Sequence, residues 1–177
     1  MNIGRPLFLS MAIALAFCPW TTASQPAGDP PKKVMMPNPP LEVHTAGGKP
    51  LRVDRMKGKV VLLDFMTTVC PSCRMVSAGI QKLYRELGPK GFQPICIALN
   101  LDSPSPLKDY GREHGLTFTL GTASRADVDT YLKHPPERPF LVPTLVLLDR
   151  MGKINSIDVG WKGEEPLRAA IMKLLAK

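Results

Sequence analysis

The sequence predicts an α/β sandwich, a sheet with helices on both faces, and three observations carry that reading. Strand-like and helix-like segments alternate through the middle of the chain. The run KVVLLDFM is apolar at both alternating sets of positions except Asp64, so both sides of that strand should be covered. The chain then finishes with a hairpin and an amphipathic helix.

The front of the chain reads as an address. Residues 1–23 hold Arg5, the apolar run PLFLSMAIALAF and the exit CPWTTA, which together predict a secretory signal peptide cleaved after Ala23. The run is too short for a comfortable membrane span, and an uncleaved anchor is the competing reading. A lipid-modified Cys18 is disfavoured by Phe17, whose ring stands where such signals need a small residue. Residues 24–40, SQPAGDPPKKVMMPNPP, are dense in proline and without periodicity, so they predict an extended linker. A single domain over 41–177 follows.

Within that domain LEVHTAGGKPLRVD reads as two short strands around Gly47-Gly48, and KVVLLDFM as a central strand. A helix is predicted from Pro71 to Leu87: Val76, Ile80, Leu83, Tyr84 and Leu87 share one face, Pro71 suits the first position and Gly88 the end. FQPICIAL is a second buried strand. Ser105-Pro106 opens a short helix closed by Gly115, LTFTL reads as a short strand, and Ser124 caps a helix through Leu132. TLVLLDR, a turn at Met151-Gly152 and INSIDV form a hairpin, and residues 164–176 a last helix with Leu167, Ile171 and Leu174 inward.

Composition narrows the function classes. The net charge of +8 comes from dispersed lysines such as Lys57, Lys59, Lys82, Lys108 and Lys173, with no basic helix or aromatic-interleaved basic stretch. That pattern is a solvated surface rather than a nucleic-acid footprint. Four cysteines are too few for a disulfide-built scaffold.

Two of those cysteines, in MTTVCPSC, carry the chemistry. Cys70 falls between a buried strand and a helix start, where free backbone N–H groups and partial positive charge favour thiolate over thiol. A cysteine of pKa near 8.5 is only a few per cent ionised at neutral pH, whereas one lowered to about 7 is half ionised. Cys73 lies one turn in and can resolve a mixed disulfide formed by Cys70. Structural zinc needs further ligands. The remaining candidates, Cys96 inside an apolar strand and His44, His114 and His134, offer no second pair at ligand spacing. Cys96 reads as a small core residue. No metal and no cofactor is expected.

Asp64 is a carboxylate in a strand that is otherwise apolar on both faces, so burial should raise its pKa. Lying beneath the helix start, it can accept and return a proton for Cys73; hydrogen bonding to nearby backbone is the plainer alternative. Pro143, before the strand TLVLL, is by itself only a strand-start signal, since X-Pro bonds are cis in about one folded case in twenty.

Taken together, VVLLDFMTTVCPSC, the following strand, VPTLVLLDRMGKI, DVGW and the final helix resemble thioredoxin-fold proteins, and among them the exported TlpA/ResA-type thiol-disulfide oxidoreductases. The resemblance spans roughly residues 38–177. It implies a three-layer sandwich around a central mixed sheet, with an added N-terminal β-hairpin and a helix-strand insertion around 104–132. It also implies that Cys70 attacks, Cys73 resolves, Asp64 is the buried acid, Pro143 is cis, and the backbone of Val142 pairs with bound substrate. Expected partners are protein disulfides, such as cytochrome c precursors before haem attachment, and a membrane thiol shuttle as electron donor. Expected localisation is periplasmic or otherwise exported, with membrane association only if the N-terminal segment is retained.

Two departures stand out: Val69 replaces the usual tryptophan, and Pro-Ser replaces the Gly-Pro of reducing thioredoxins. The second helps set the redox potential, which in related folds spans about −270 to −120 mV. Two rival functions share the fold. A peroxiredoxin-like peroxidase is suggested by Thr67 three residues before Cys70, but Leu63 stands where those enzymes carry proline. A Sco-type copper chaperone would use both cysteines with His134, but it spaces its cysteines one residue further apart.

Overall fold

The computed structural model describes Met1 and residues 38–177. The expected signal peptide and linker therefore lie outside the described residues, apart from Met1 and residues 38–40. Along the chain run β1 (Glu42–Thr45), β2 (Pro50–Arg52), β3 (Val60–Met66), α1 (Pro71–Leu87), β4 (Phe92–Ala98) and α2 (Leu107–Glu113). They are followed by β5 (Thr119–Thr122), α3 (Arg125–Leu132), β6 (Thr144–Leu148), β7 (Ile154–Val159) and α4 (Glu164–Leu175).

The strands form one mixed sheet in the order β2-β1-β5-β4-β3-β6-β7. β3 lies parallel to β4, β4 parallel to β5, and the other neighbours are antiparallel. Alternation along each strand sends side chains to opposite faces, and two apolar layers result. Val60, Leu62 and Met66 of β3, Cys96 and Ala98 of β4, and Leu145 and Leu147 of β6 meet α1, α2 and α4. Val61, Leu63, Phe65, Ile95, Ile97, Val146 and Leu148 face the other way, onto Val128 and Tyr131 of α3 and onto Leu41, Val43 and Val53. Every residue of β3 is buried, because both layers close over it. Each fully covered Leu, Ile or Phe contributes about 2 kcal/mol by leaving water.

Two local features differ from the sequence reading. α1 stops at Leu87 as the pattern requires, yet Gly88 stays right-handed (φ −54°) and opens a 3₁₀ turn. The left-handed residue that reverses the chain is Gly91, at φ 105°. The strand expected over LTFTL begins instead at Thr119 and runs to Thr122. The N–H of Leu116 is taken by the Gly111 carbonyl and that of Thr117 by Gln81 Oε1, so neither can join a ladder. Within β5, Gly121 lies so close under β1 that a Cβ there would come 2.5 Å from Val43 Cγ1 and 2.8 Å from the His44 carbonyl oxygen. The front hairpin extends the sheet through β1, which pairs with β5, His44 opposite Thr122, and leaves β2 as the edge strand.

Candidate active site

The loop after β3 is pinned before it reaches the helix. Thr68 N–H donates to Asn100 Oδ1 and Asn100 Nδ2 donates to Thr68 Oγ1, each at 3.0 Å, tying the loop to the end of β4. Cys70 is then the N-cap of α1, extended at ψ 113°, with Pro71 in the first turn. Its Sγ accepts from the Cys73 N–H at 3.2 Å and lies 3.1 Å from Ser72 Oγ. A thiol caps a helix poorly and a thiolate caps it better, because one of the free N–H groups then meets a full charge. No acidic residue stands in the first turn of α1 to cancel that effect. Cys70 and Cys73 are joined as a disulfide, their Cα atoms 5.3 Å apart. Cys70 is half-buried; Cys73 is wholly inside the apolar layer under α1.

Asp64 is fully buried and accepts a hydrogen bond from Ser77 Oγ at 3.4 Å. Ser77 is one helical turn beyond Cys73 on the same buried face, so the carboxyl group sits one turn beneath the resolving cysteine. Burial pushes the Asp64 pKa up to about 7, with the Ser77 hydrogen bond working against that rise. Its Oδ1 has no hydrogen-bond partner among the described residues. Cys96 is its register partner on β4, and burial first, then the Asp64 charge, pushes that thiol well up. Tyr110 of α2 faces the same group, its hydroxyl raised to about 12 chiefly by burial and then by Cys96 and Asp64.

The Val142–Pro143 peptide bond is cis. Thr144 pairs with Phe65, so Pro143 stands at the end of β3 that leads into Cys70. Val142 and Cys70 both pack against the cluster that contains Cys73. The Pro143 carbonyl is taken by Gly160 N–H at 2.8 Å, whereas the N–H and C=O of Val142 have no partner among the described residues. Exposed apolar side chains surround this region: Val69 at 73 %, Met75 at 65 % and Leu141 at 61 %.

The structure therefore brings Cys70, Cys73, Asp64, Val142 and Pro143 to one end of β3. His134 is not drawn in: its Nδ1 lies 3.1 Å from Asp129 Oδ1 and its ring packs edge-on to Phe140. Among the described residues no three His, Cys, Asp or Glu side chains are arranged to hold a metal. Sequence reasoning missed Ser77, Asn100 and Tyr110. For Ser77 the signal was there, a serine on the apolar face of α1 one turn after Cys73; Asn100 and Tyr110 had none.

Comparison with known proteins gives a consistent picture. The model of the AhpC/TSA family matches residues 34–157. The chain is 28 % identical over 129 residues to the thiol-disulfide oxidoreductase ResA of Bacillus thuringiensis, covering 72 % of this chain and 70 % of that one. It superposes with TM-score 0.69 on a thiol:disulfide interchange protein from Chlorobium tepidum, at 22 % identity, over 79 % of this chain and 96 % of the other. It also superposes with TM-score 0.61 on the copper-bound ScoI of Bradyrhizobium japonicum, at 19 % identity, over 78 % and 99 % of the two chains. At such identities the two superpositions establish the thioredoxin fold and nothing finer.

Proposed function

The chain belongs to the AhpC/TSA family of thioredoxin-fold redox proteins, and from that premise we propose that it is an exported thiol-disulfide oxidoreductase that reduces protein disulfides through Cys70 and Cys73. One observation carries the reading: the two sulfurs are unequal, Cys70 half-exposed at a helix start that favours its thiolate, Cys73 buried above an acid whose pKa is near neutrality.

The reaction follows from that inequality. The Cys70 thiolate attacks one sulfur of a client disulfide; that S–S bond breaks, and the departing client thiolate takes a proton from water. Meanwhile the client backbone lies against the open N–H and C=O of Val142 as an added strand. Cys73 must then lose its proton, and Asp64 takes it at Oδ1 through a bridging water. The Cys73 thiolate attacks Cys70 Sγ, the second client thiolate leaves and is protonated, and Cys70–Cys73 is the new disulfide. Two electrons have passed to the client. A membrane thiol shuttle returns them, and clients include exported cytochrome c precursors before haem attachment. Export itself rests on the signal-peptide reading of residues 1–23. Among the described residues no helix is long and apolar enough to cross a membrane.

Removing one cysteine at a time tests the mechanism. Cys73→Ser leaves an exposed nucleophile with no internal release, so mixed disulfides with client proteins accumulate. Cys70→Ser leaves a shielded thiol that traps little. Equal trapping by both variants would overturn the assignment. Consumption of peroxide or tight copper(I) binding by the same purified protein, at rates or affinities exceeding its disulfide exchange, would replace it with one of the rival functions.

A further inference from the structure

The segment from His134 to Leu141, HPPERPFL, carries three prolines in eight residues and forms no helix or strand. It leads directly into Val142 and Pro143, so its position sets theirs. One side chain of α3 reaches both its backbone and its aromatic ring. Arg125 donates from Nε to Asp129 Oδ1 at 2.8 Å and from Nη2 to the Arg138 carbonyl at 3.0 Å. Its guanidinium carbon stands over the Phe140 ring, 4.9 Å from the centroid. Phe140 in turn packs edge-on to Phe65 of β3, centroids 5.8 Å apart. Asp129, only 7 % exposed, holds the start of the segment as well, through His134: its carbonyl accepts the His134 N–H at 2.8 Å, and its Oδ1 lies 3.1 Å from Nδ1. Thr144 Oγ1 closes the far end by donating to the Leu141 carbonyl at 2.6 Å.

An arginine in the first position of a helix opposes the macrodipole, so helix stability does not account for it there. Its planar fork does: a guanidinium can meet a carboxylate, a carbonyl and a ring face at once, which an ammonium cannot.

We propose that Arg125 is the positioning residue of the client-facing loop, holding residues 138–141 so that the backbone of Val142 is set to receive a client strand before the client arrives. The inference rests on the oxidoreductase reading and adds to it a determinant of protein recognition outside the cysteine site. A loop held in its bound shape loses less freedom on binding. Loosening it should therefore weaken capture of a polypeptide and leave the sulfur chemistry alone.

The test uses the purified full chain with two probes, dithiothreitol-driven reduction of insulin and the reaction of the reduced protein with 5,5′-dithiobis(2-nitrobenzoate). For Arg125→Met we expect KM for insulin to rise about tenfold, the loss of a charge-assisted hydrogen bond, with kcat and the small-probe rate within about twofold of wild type. Arg125→Lys should keep the ion pair with Asp129 and much of the thermal stability, yet show the same rise in KM. Phe140→Leu, which leaves the Arg125–Asp129 pair in place, should raise KM as well and serves if Arg125→Met does not fold. An unchanged KM in Arg125→Lys and Phe140→Leu would overturn the proposal. So would a small-probe rate that falls in step with insulin turnover. A wild-type protein inert toward both probes would instead overturn the oxidoreductase reading beneath it.

Discussion

Asp64→Asn separates the cost of a buried acid from its use. In the folded chain this carboxyl titrates near 7, against 3.8 for the unperturbed group, and desolvation is the main cause. The folded state therefore keeps the proton to higher pH than the unfolded chain does. Below about pH 4 both states are protonated and nothing is lost; between about 4 and 7 the folded state binds more protons, so stability falls as pH rises; above about 7 the full penalty is present. A gap of about three pH units, at roughly 1.4 kcal/mol each, makes that penalty on the order of 4 kcal/mol. Asn keeps the shape and cannot ionise. Denaturant titrations of the oxidised protein and the variant should agree at pH 4 to within the value of one hydrogen bond, about 1 kcal/mol. The variant should then gain steadily to about pH 7 and level off by pH 8. Disulfide exchange should move the other way, slowing near neutrality at the step that needs Cys73 ionised, because the proton acceptor is gone. A stability difference that does not change between pH 4 and 8 would refute the placement of an ionisable group in this apolar layer. Exchange rates unchanged across pH 6–9 would remove Asp64 from the mechanism while leaving the stability argument standing.

Two further outcomes probe other parts of the chain. Gly121→Ala forces a methyl group against Val43 and the His44 carbonyl, and the backbone oxygen cannot swing aside as a side chain could; it should cost about 2 kcal/mol in the same denaturant assay, and a loss below about 0.5 kcal/mol would show that β1 does not dock on β5. Intact-mass analysis of protein recovered from the periplasmic fraction should find a chain beginning at Ser24, whereas a full-length chain in the membrane fraction would favour the retained anchor.

What the sequence determined by itself is what repeats over a few residues. Val76, Ile80, Leu83 and Leu87 recur at helical spacing, with Pro71 at one end, and α1 spans Pro71–Leu87. Ser124 accepts from the Asp127 N–H and caps α3. The run of β3, apolar on both faces except at Asp64, required cover on both sides, and the two apolar layers supply it. The cysteine pair at the strand-helix junction was equally local, because the helix start and the spacing lie within four residues of each other.

Tertiary structure alone decided which distant groups meet. Thr68 and Asn100, 32 positions apart, are joined because parallel pairing of β3 and β4 sets their ends side by side. That same pairing puts Cys96 beside Asp64, and α2 then adds Tyr110. The sequence shows a buried acid but not its neighbours. β5 begins late because Gln81, on a helix 36 positions earlier, takes the Thr117 N–H. Arg125 looks like an ordinary surface charge until the proline-rich segment folds back over it. Periodicity and capping are written in neighbouring residues because they arise from the geometry of one helix or one strand; register between strands and the burial of a charge arise from packing between elements, and only the assembled sheet determines them.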